Sequence, residues 1–340
     1  MRPQSHHNGS SLPHSQRKPD AGISGDGASI GGGPPQGSPQ GLSASAQTIS
    51  SIPPTPSPNP APVPERVTLQ TLQRLARLRT PFACLTCYDY TTARWLARGG
   101  VHVLLVGDTA AEVILGHTRT IDMSLEVLLA LTAAVKRGAP NAVVMGDMPF
   151  MSYQADEAEG VRNAGRFLTE GLADIVKVEA DVTFAPLVAK MVRAGVPVCG
   201  HVGSRPQRAA LSGGYGAAGR TAAEASRIVQ DAVAMQEAGC QMLLIEAVPE
   251  EVTSAVLAAT TVPVIGIGAG PACHGQVLVL QDLLGLSEHA PRFAEPVAQL
   301  GSTIEQAAGE WVARVAARNI GGKPYGMKAG EAARFAPGQS

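Results

Sequence analysis

The sequence predicts an α/β protein whose main part closes into one (β/α)8 barrel, and three observations predict this fold. Short runs rich in β-branched residues and leucine alternate with longer, alanine-rich amphipathic stretches, as in parallel βαβ units. The short runs are almost continuously apolar, which is typical of strands buried on both faces. Eight such runs fall within residues 65–320, a length close to the usual size of one such barrel.

The eight predicted strands are each five or six residues long. They span residues 82–86, 101–106, 141–145, 174–178, 196–200, 241–245, 262–267 and 276–280. Because there are eight of them, separated by helical stretches, a closed barrel is favoured over an open sheet.

Amphipathic stretches suited to helices connect the predicted strands. The clearest are residues 124–137, 155–171, 183–195 and 221–239. The last three end in glycine, as helix C-caps often do. The link between the seventh and eighth strands, residues 268–275, is short, which predicts that its helix is stunted or absent. One more helix is expected over residues 296–318.

The two ends of the chain differ from the barrel sequence. Residues 1–64 are rich in Ser, Pro, Gly and Gln, and they hold too few apolar side chains to offset the entropy of ordering. We therefore expect a disordered N-terminal tail, either inert or serving as a proline-rich ligand for a partner. Residues 321–340 are expected to be a weakly ordered C-terminal tail.

Composition excludes several classes of protein. The 340 residues carry 27 basic and 28 acidic side chains, so the net charge of −1 argues against a nucleic-acid-binding or polybasic membrane-binding protein. No run of 18 apolar residues exists that would predict a transmembrane helix. Five thinly spread cysteines suit a reducing compartment, and the first fifteen residues lack the apolar segment of a secretory signal. We expect a cytoplasmic protein.

Polar residues follow six consecutive predicted strands, from the second to the seventh. They include four carboxylates, one lysine, one histidine and a glycine turn: Asp108, Asp147, Lys177, Glu179, His201, Glu246 and residues 268–270. Because the carboxyl ends of barrel strands meet at one rim, where active sites lie, we expect these side chains to form the active site. A single carboxylate at a strand end can instead be a helix N-cap.

Three of the acids can converge on a metal ion. Asp108, Asp147 and Glu179 offer carboxylate oxygens, and no Cys or His accompanies them as a softer ligand. Such a set suits a hard cation, Mg²⁺ first and Mn²⁺ next. The alternative for each acid is a cap or a salt bridge.

The other polar residues of the rim are expected to act on a substrate. Lys177 lies two residues before Glu179, so both side chains share one strand face, where the lysine donates to an anionic substrate or pairs with a neighbouring acid. Glu246 stands apart from the three acids and is free to act as a general base. His201 either orients a substrate or a metal-bound group, or is structural.

Two further motifs can be interpreted either as functional or as purely structural. The glycine-rich segment 212–220 is either a mobile lid, with Arg220 meeting an anion, or a plain linker. Cys199 lies in a segment similar to the reactive-cysteine motif of isocitrate lyase-like enzymes, but Pro197 and Val198 precede it where those enzymes have lysines. A buried strand cysteine is therefore favoured.

Nine segments give the sequence a family resemblance that runs from about residue 68 to about residue 327. They are CYDYTTARW (87–95), LLVGDT (104–109), AVKRGAPNAVVMGDMPF (134–150), IVKVEA (175–180), VPVCGHVGSRPQ (196–207), GGYGAAGR (213–220), LLIEAVP (243–249), PVIGIGAG (263–270) and GQVLVLQDLLGL (275–286). In these segments the chain resembles the 3-methyl-2-oxobutanoate hydroxymethyltransferases, also called ketopantoate hydroxymethyltransferases.

The resemblance implies a (β/α)8 TIM barrel of the phosphoenolpyruvate/pyruvate type that uses Mg²⁺. It implies transfer of a hydroxymethyl group from 5,10-methylenetetrahydrofolate to 3-methyl-2-oxobutanoate, which forms 2-dehydropantoate for pantothenate biosynthesis. It also implies a cytoplasmic homo-oligomer, often a decamer. Carried over by motif, the metal ligands are Asp108, Asp147 and Glu179; the substrate contacts are Asp108, Thr109, Asp147 and Lys177; and the proton acceptor is Glu246.

The sequence departs from the family pattern at several positions near the expected site. Thr109 stands where the family usually has Ser, so the hydroxyl is kept. Residues 111–113, with Glu112 at their centre, replace a Gly-Met type of turn, and Gly216 stands where Lys is common. Pro271 and His274 replace an Asn and an Asp near the last strand.

Two other functions are compatible with the same rim. One is a Mg²⁺-dependent lyase of 2-oxo acids on the same barrel, which would cleave a C–C bond without folate. The other is a non-catalytic barrel that serves as an oligomeric scaffold. The missing lysines before Cys199 argue against the first, and the intact acids with Lys177 argue against the second.

Overall fold

The computed structural model describes residues 66–335, apart from the side chain at position 212, and its central feature is a closed barrel of eight parallel strands. Each strand pairs with the next along the chain, and the first pairs with the last. The strands are β1 Phe82–Thr86, β2 Val103–Val106, β3 Val143–Asp147, β4 Ile175–Glu179, β5 Val198–Gly203, β6 Met242–Glu246, β7 Val264–Ile267 and β8 Gly275–Leu278. The predicted fold class is confirmed, while the predicted tail 1–64 lies outside the described residues.

Helices connect successive strands around the barrel. Those within residues 66–335 are α1 Leu69–Arg77, α2 Tyr90–Arg98, α3 Ala110–Val113, α4 Leu125–Gly138, α5 Glu157–Thr169, α6 Ala185–Arg193, α7 Ala209–Ser212, α8 Ala222–Glu237, α9 Glu250–Ala259, α10 Leu280–Leu283, α11 Leu300–Ala316 and α12 Glu331–Arg334. Short 3-10 turns occur at Thr120–Asp122, Val182–Phe184 and Pro206–Arg208. As predicted, no helix separates β7 from β8 in the described chain.

The predicted strands are correct in number and order, but several of their boundaries are wrong by two or three residues. Strands β3, β4, β5 and β6 extend past the predicted ends and include Asp147, Glu179, His201 and Glu246. The prediction ended each of these strands before the carboxylate or histidine that follows it. In the structure the backbone ladder continues through that residue, since a polar side chain that faces the barrel mouth does not interrupt backbone hydrogen bonds.

The alternation of side chains along each strand separates two apolar cores. Inward-facing residues such as Leu105, Met145 and Leu244 fill the barrel interior. Their neighbours in sequence, such as Leu104 and Val144, pack outward against the helices. This period of two fixes which face of each strand meets the interior, and so it decides which polar residues point into the barrel mouth.

Helix α1 lies against the amino-terminal end of the barrel. Thr68 caps it, with its side-chain oxygen accepting from the backbone N–H of Thr71. Leu72 is fully buried in the barrel-interior core, and Leu69 and Leu75 pack against the same core. These apolar contacts cover one end of the barrel, and the opposite end carries the polar side chains.

Close approach of α2 and α4 depends on Gly138. A β-carbon there would lie 2.4 Å from the Tyr90 carbonyl oxygen and 2.9 Å from the Ala93 β-carbon. We expect G138A to lower the free energy of unfolding by about 1–3 kcal/mol, because backbone atoms must move to admit the methyl group. Gly165 in α5 has open space around it, so G165A is the matched control and is expected to be neutral or stabilising. Equal denaturation midpoints for the two variants would contradict this account of the packing.

The states of the cysteines and the character of the helices agree with what the composition predicted. All five cysteines lie within the described residues, are buried and are free thiols. Burial raises the pKa of Cys199 well above its ordinary value, so this thiol is not poised to react. Between residues 66 and 335, no helix combines the length and the apolar character needed to cross a membrane.

Candidate active site

Five of the polar residues at the strand ends point into the barrel mouth because they continue the inward face of their strands. Inward residues Met145, Ile175, Cys199 and Leu244 each precede one of them by two positions: Asp147, Lys177, His201 and Glu246. The fifth, Glu179, follows Lys177 by two positions. Strand register then sets them side by side. Asp147 is level with Lys177 and Glu179 with His201, in each case on the next strand. Glu246 is level with Gly203 on the preceding strand.

Asp108 joins this group from the loop that follows β2. Its side chain is buried, and its backbone N–H donates to Asp147 Oδ2 over 3.4 Å. Thr109, the residue before α3, also lines the cavity at the mouth. Asp108 and Asp147, which are predicted to bind the same metal ion, are therefore neighbours in space although they are 39 residues apart in the sequence.

Lys177 is the cation of the site, and it is 5% exposed. Its Nζ lies 2.7 Å from Asp147 Oδ1. Burial alone would lower the pKa of Lys177, but the charges of Asp147, Asp108 and Glu179 outweigh burial and raise it above its usual value. Lys177 is therefore a permanent ammonium. Of its two predicted roles, pairing with a neighbouring acid is confirmed, and donation to an anionic substrate stays a prediction.

The buried acids carry more charge than Lys177 can balance. Burial raises the pKa of Asp108, Asp147 and Glu179, and the lysine only partly opposes this. For Asp147 the pKa rises to about 7, and the charge of Asp108 contributes. Buried charges are normally paired or bound to metal. Three carboxylates facing one ammonium therefore form a site that gains from a further cation.

The donor set fits Mg²⁺. Within residues 66–335, no three His, Cys, Asp or Glu side chains form a ready-made metal cage. Mg²⁺ does not need one, because it usually takes one or two protein carboxylates and completes its shell with water and substrate oxygens. Asp108 and Asp147 supply such a pair. The predicted third ligand, Glu179, has both carboxylate oxygens accepting from the backbone N–H of Gln207, at 3.1 and 3.2 Å.

His201 connects Lys177 with Glu246. Its Nδ1 lies 3.3 Å from Lys177 Nζ, and its Nε2 lies 3.3 Å from Glu246 Oε2. An ammonium only donates, so Nδ1 accepts and the ring proton sits on Nε2, the nitrogen nearer to Glu246. Burial lowers the pKa of His201, with the Lys177 charge adding to the effect, which keeps the imidazole neutral. The structure therefore gives His201 an orienting position beside Glu246.

Glu246 differs from the other acids in its exposure. Its side chain is 23% exposed, while those of Asp147 and Glu179 are at most 3% exposed. A carboxylate that reaches the open part of the cavity can meet a substrate from the side opposite the buried acids. This placement agrees with the general-base role expected for Glu246.

A single cavity of about 2060 Å³ opens at the barrel mouth and touches all of the predicted site residues. They are Asp108, Thr109, Asp147, Lys177, Glu179 and Glu246. The glycine-rich segment also borders it, and there the Tyr215 hydroxyl lies 3.1 Å from Glu112 Oε1. The segment thus contacts the α3 region across the mouth, while its closure as a lid stays a prediction.

Sequence analysis missed Gln207 and Tyr153. Gln207 contacts Asp108 and Glu179, and the Tyr153 hydroxyl donates to the backbone oxygen of Glu179 at 3.0 Å. Neither residue stands at the end of a predicted strand. Gln207 lies within one of the nine family segments, which is the signal that marks it for attention.

A parallel barrel with charged side chains around its carboxyl-terminal mouth is the arrangement of barrel enzymes. The fold and the charged mouth therefore define the class of protein as a barrel enzyme. The particular family follows from sequence: residues 66–322 match the model of the ketopantoate hydroxymethyltransferase family. The chain belongs to this family, as the motifs predicted.

Curated relatives agree with the family match. The 3-methyl-2-oxobutanoate hydroxymethyltransferase of Syntrophobacter fumaroxidans is 46% identical over 246 residues, which cover 72% of this chain and 85% of the relative. The enzyme of the same name from Halorhodospira halophila is 40% identical, over 77% of this chain and 95% of its own. The enzyme of the same name from Hyperthermus butylicus is also 40% identical, over 78% of this chain and 93% of its own length.

Solved structures show the same fold at low sequence identity. A phosphonopyruvate hydrolase, crystallised with oxalate and Mg²⁺, is 13% identical with a TM-score of 0.51, over 78% of this chain and 90% of its own. Phosphoenolpyruvate phosphomutase from Streptomyces platensis subsp. rosaceus is 13% identical with a TM-score of 0.52, over 74% and 89%. The likeness confirms the predicted (β/α)8 barrel fold.

Proposed function

We propose that this chain transfers a hydroxymethyl group from 5,10-methylenetetrahydrofolate to 3-methyl-2-oxobutanoate and forms 2-dehydropantoate. One observation carries the proposal. A member of the ketopantoate hydroxymethyltransferase family brings all six motif-matched residues to one cavity at the barrel mouth. The activity belongs to pantothenate biosynthesis, and we place it in the cytoplasm because of the composition and the cysteine pattern.

Mg²⁺ would be held at the buried acids, by Asp108 and Asp147 together with Glu179. When bound there, the ion supplies Lewis acidity to a keto oxygen, which makes an adjacent C–H bond more acidic. Lys177 and Thr109 bind the 2-oxo acid, the ammonium facing its carboxylate and the hydroxyl donating a hydrogen bond. The excess negative charge of the three acids supports this assignment.

Glu246 removes the proton from C3 of 3-methyl-2-oxobutanoate, and His201 keeps the accepting carboxylate in place over the 3.3 Å contact. The resulting carbanion attacks the methylene carbon of the folate. A C–C bond forms, the two C–N bonds to that carbon break, and water supplies the hydroxyl group. The two folate nitrogens take up the proton held by Glu246 and the remaining proton of water as tetrahydrofolate leaves. The ammonium of Lys177 remains near the carboxylate throughout.

Turnover with the full chain tests the proposal. We expect 2-dehydropantoate to form only when the 2-oxo acid, the folate donor and Mg²⁺ are all present. Cleavage of a 2-oxo acid without folate would support the lyase alternative, which the buried, unreactive Cys199 disfavours. Binding of Mg²⁺ with no turnover would support the scaffold alternative.

We also propose that the chain forms a homo-oligomer, a decamer by its family resemblance. Helix α11 supports this, since it has no buried residue and exposes Ile304, Trp311 and Val312 along one face. Sedimentation velocity of the full chain tests the proposal, and a monomer at micromolar concentration would contradict it.

A further inference from the structure

Gln207, which follows β5, forms hydrogen bonds with residues at the ends of the three preceding strands, β2, β3 and β4. It sits in the Pro206–Arg208 turn after β5, and its side chain is buried. Its Nε2 donates to Asp108 Oδ2 and to the backbone oxygen of Met148, each over 3.0 Å. Its backbone N–H donates to Glu179. One residue therefore contacts two of the three buried acids.

The orientation of the Gln207 amide is fixed by its partners. Both acceptors, a carboxylate and a carbonyl, face the NH₂ group. Gln154 Nε2 faces the amide oxygen of Gln207 and donates to it over 3.0 Å. A flipped amide would set the oxygen against two acceptors, so only one orientation satisfies the network.

We propose that Gln207 is a positioning residue for the reaction, which holds Asp108 in the orientation that a divalent cation requires. This inference rests on the proposed function, because it concerns the cation expected at Asp108 and Asp147. The amide occupies Oδ2 of Asp108 and leaves Oδ1 as the oxygen to offer to a cation.

The side chain and the backbone of Gln207 have separable effects. Only the side chain reaches Asp108, whereas Glu179 is held by the backbone N–H. A side-chain substitution therefore releases Asp108 and leaves the contact with Glu179 in place. Loss of a residue that orients a metal ligand typically costs about 10- to 100-fold in metal affinity.

The test measures Mn²⁺ binding to the metal-free full chain by electron paramagnetic resonance, without substrate. Q207M keeps the length of the side chain and removes the amide, and we expect its Mn²⁺ dissociation constant to rise about 10- to 100-fold. Q207N keeps an amide but is one methylene too short for Asp108, so the same rise is expected. It serves as the second variant if Q207M does not fold.

Gln154 provides the matched control. It donates to the same Gln207 oxygen, but its side-chain amide is bonded to no acid of the site. We expect Q154M to change the Mn²⁺ dissociation constant by less than about threefold, which separates loss of the network from loss of the Asp108 contact. Circular dichroism establishes that each variant is folded.

Unchanged Mn²⁺ affinity in a folded Q207M or Q207N would overturn the inference. Equal weakening in Q154M would overturn it too, because the effect would then come from the network as a whole. Wild-type turnover is measured in parallel. An active wild type with unaffected Q207 variants refutes only the role of Gln207, whereas an inactive wild type that binds no Mn²⁺ refutes the proposed function as well.

Discussion

The E246Q variant is expected to lose about 10²- to 10⁴-fold in kcat, which is the usual contribution of a positioned general base. Glutamine has the shape of glutamate and can keep the 3.3 Å contact that Glu246 makes with His201 Nε2. It cannot take up the C3 proton. Because Glu246 is not one of the three acids assigned to Mg²⁺, we expect the variant still to bind Mg²⁺ and to stay folded.

The measurement is steady-state turnover together with exchange of the C3 proton in D₂O. Both should fall in E246Q by similar factors, since both need the same proton transfer. H201F serves for comparison: it removes the orienting contact but not the base, so a smaller loss is expected. Normal turnover in a folded E246Q would refute the base role of Glu246.

The D147N variant is expected to lose the response of the protein to Mg²⁺. Asn keeps the shape of Asp147 but removes one of the two adjacent carboxylates that the cation needs. In the wild type, Mg²⁺ at 100 times its dissociation constant should stabilise the fold by about 2.7 kcal/mol, which appears as a rise in Tm. We expect this rise to vanish in D147N, along with turnover.

Without Mg²⁺, the same variant should not be less stable than the wild type. Burial and the Asp108 charge raise the pKa of Asp147 to about 7, so above that pH the ionised carboxylate costs the metal-free fold stability. Asn removes that cost, while Asp108 and Glu179 still face Lys177. Thermal melts at pH 8, with and without Mg²⁺, measure both effects. A Mg²⁺-dependent rise in Tm that persists in D147N would contradict the ligand assignment.

The barrel and its rim could be predicted because both follow from local patterns. Apolar runs of strand length mark the sheet, and the first polar residue after each run marks the mouth. The same rule placed the strand ends too early at Asp147, Glu179 and Glu246, because hydrophobicity is blind to a backbone ladder that continues under a polar side chain. The predicted residues lie at the barrel mouth even where the predicted strand boundaries were wrong.

The contacts between loops and strands could not be predicted in the same way. The position of Gln207 depends on the turn after β5 and on Asp108, 99 residues earlier, so no spacing in the sequence relates the two. The role of His201 was left open because its two ring nitrogens have partners on separate strands. Helix α1 was not predicted, because it precedes the first strand and contributes no residue to the polar mouth.

Proton exchange at C3 of 3-methyl-2-oxobutanoate tests the central claim most directly. The 2-oxo acid is followed by proton NMR in D₂O with the full chain and Mg²⁺, in the absence of folate. We predict that the C3 proton signal disappears only when protein and Mg²⁺ are both present, because Glu246 and the cation at Asp108 and Asp147 act together. A C3 signal that persists, with or without an added folate donor, would contradict the proposed chemistry of this site.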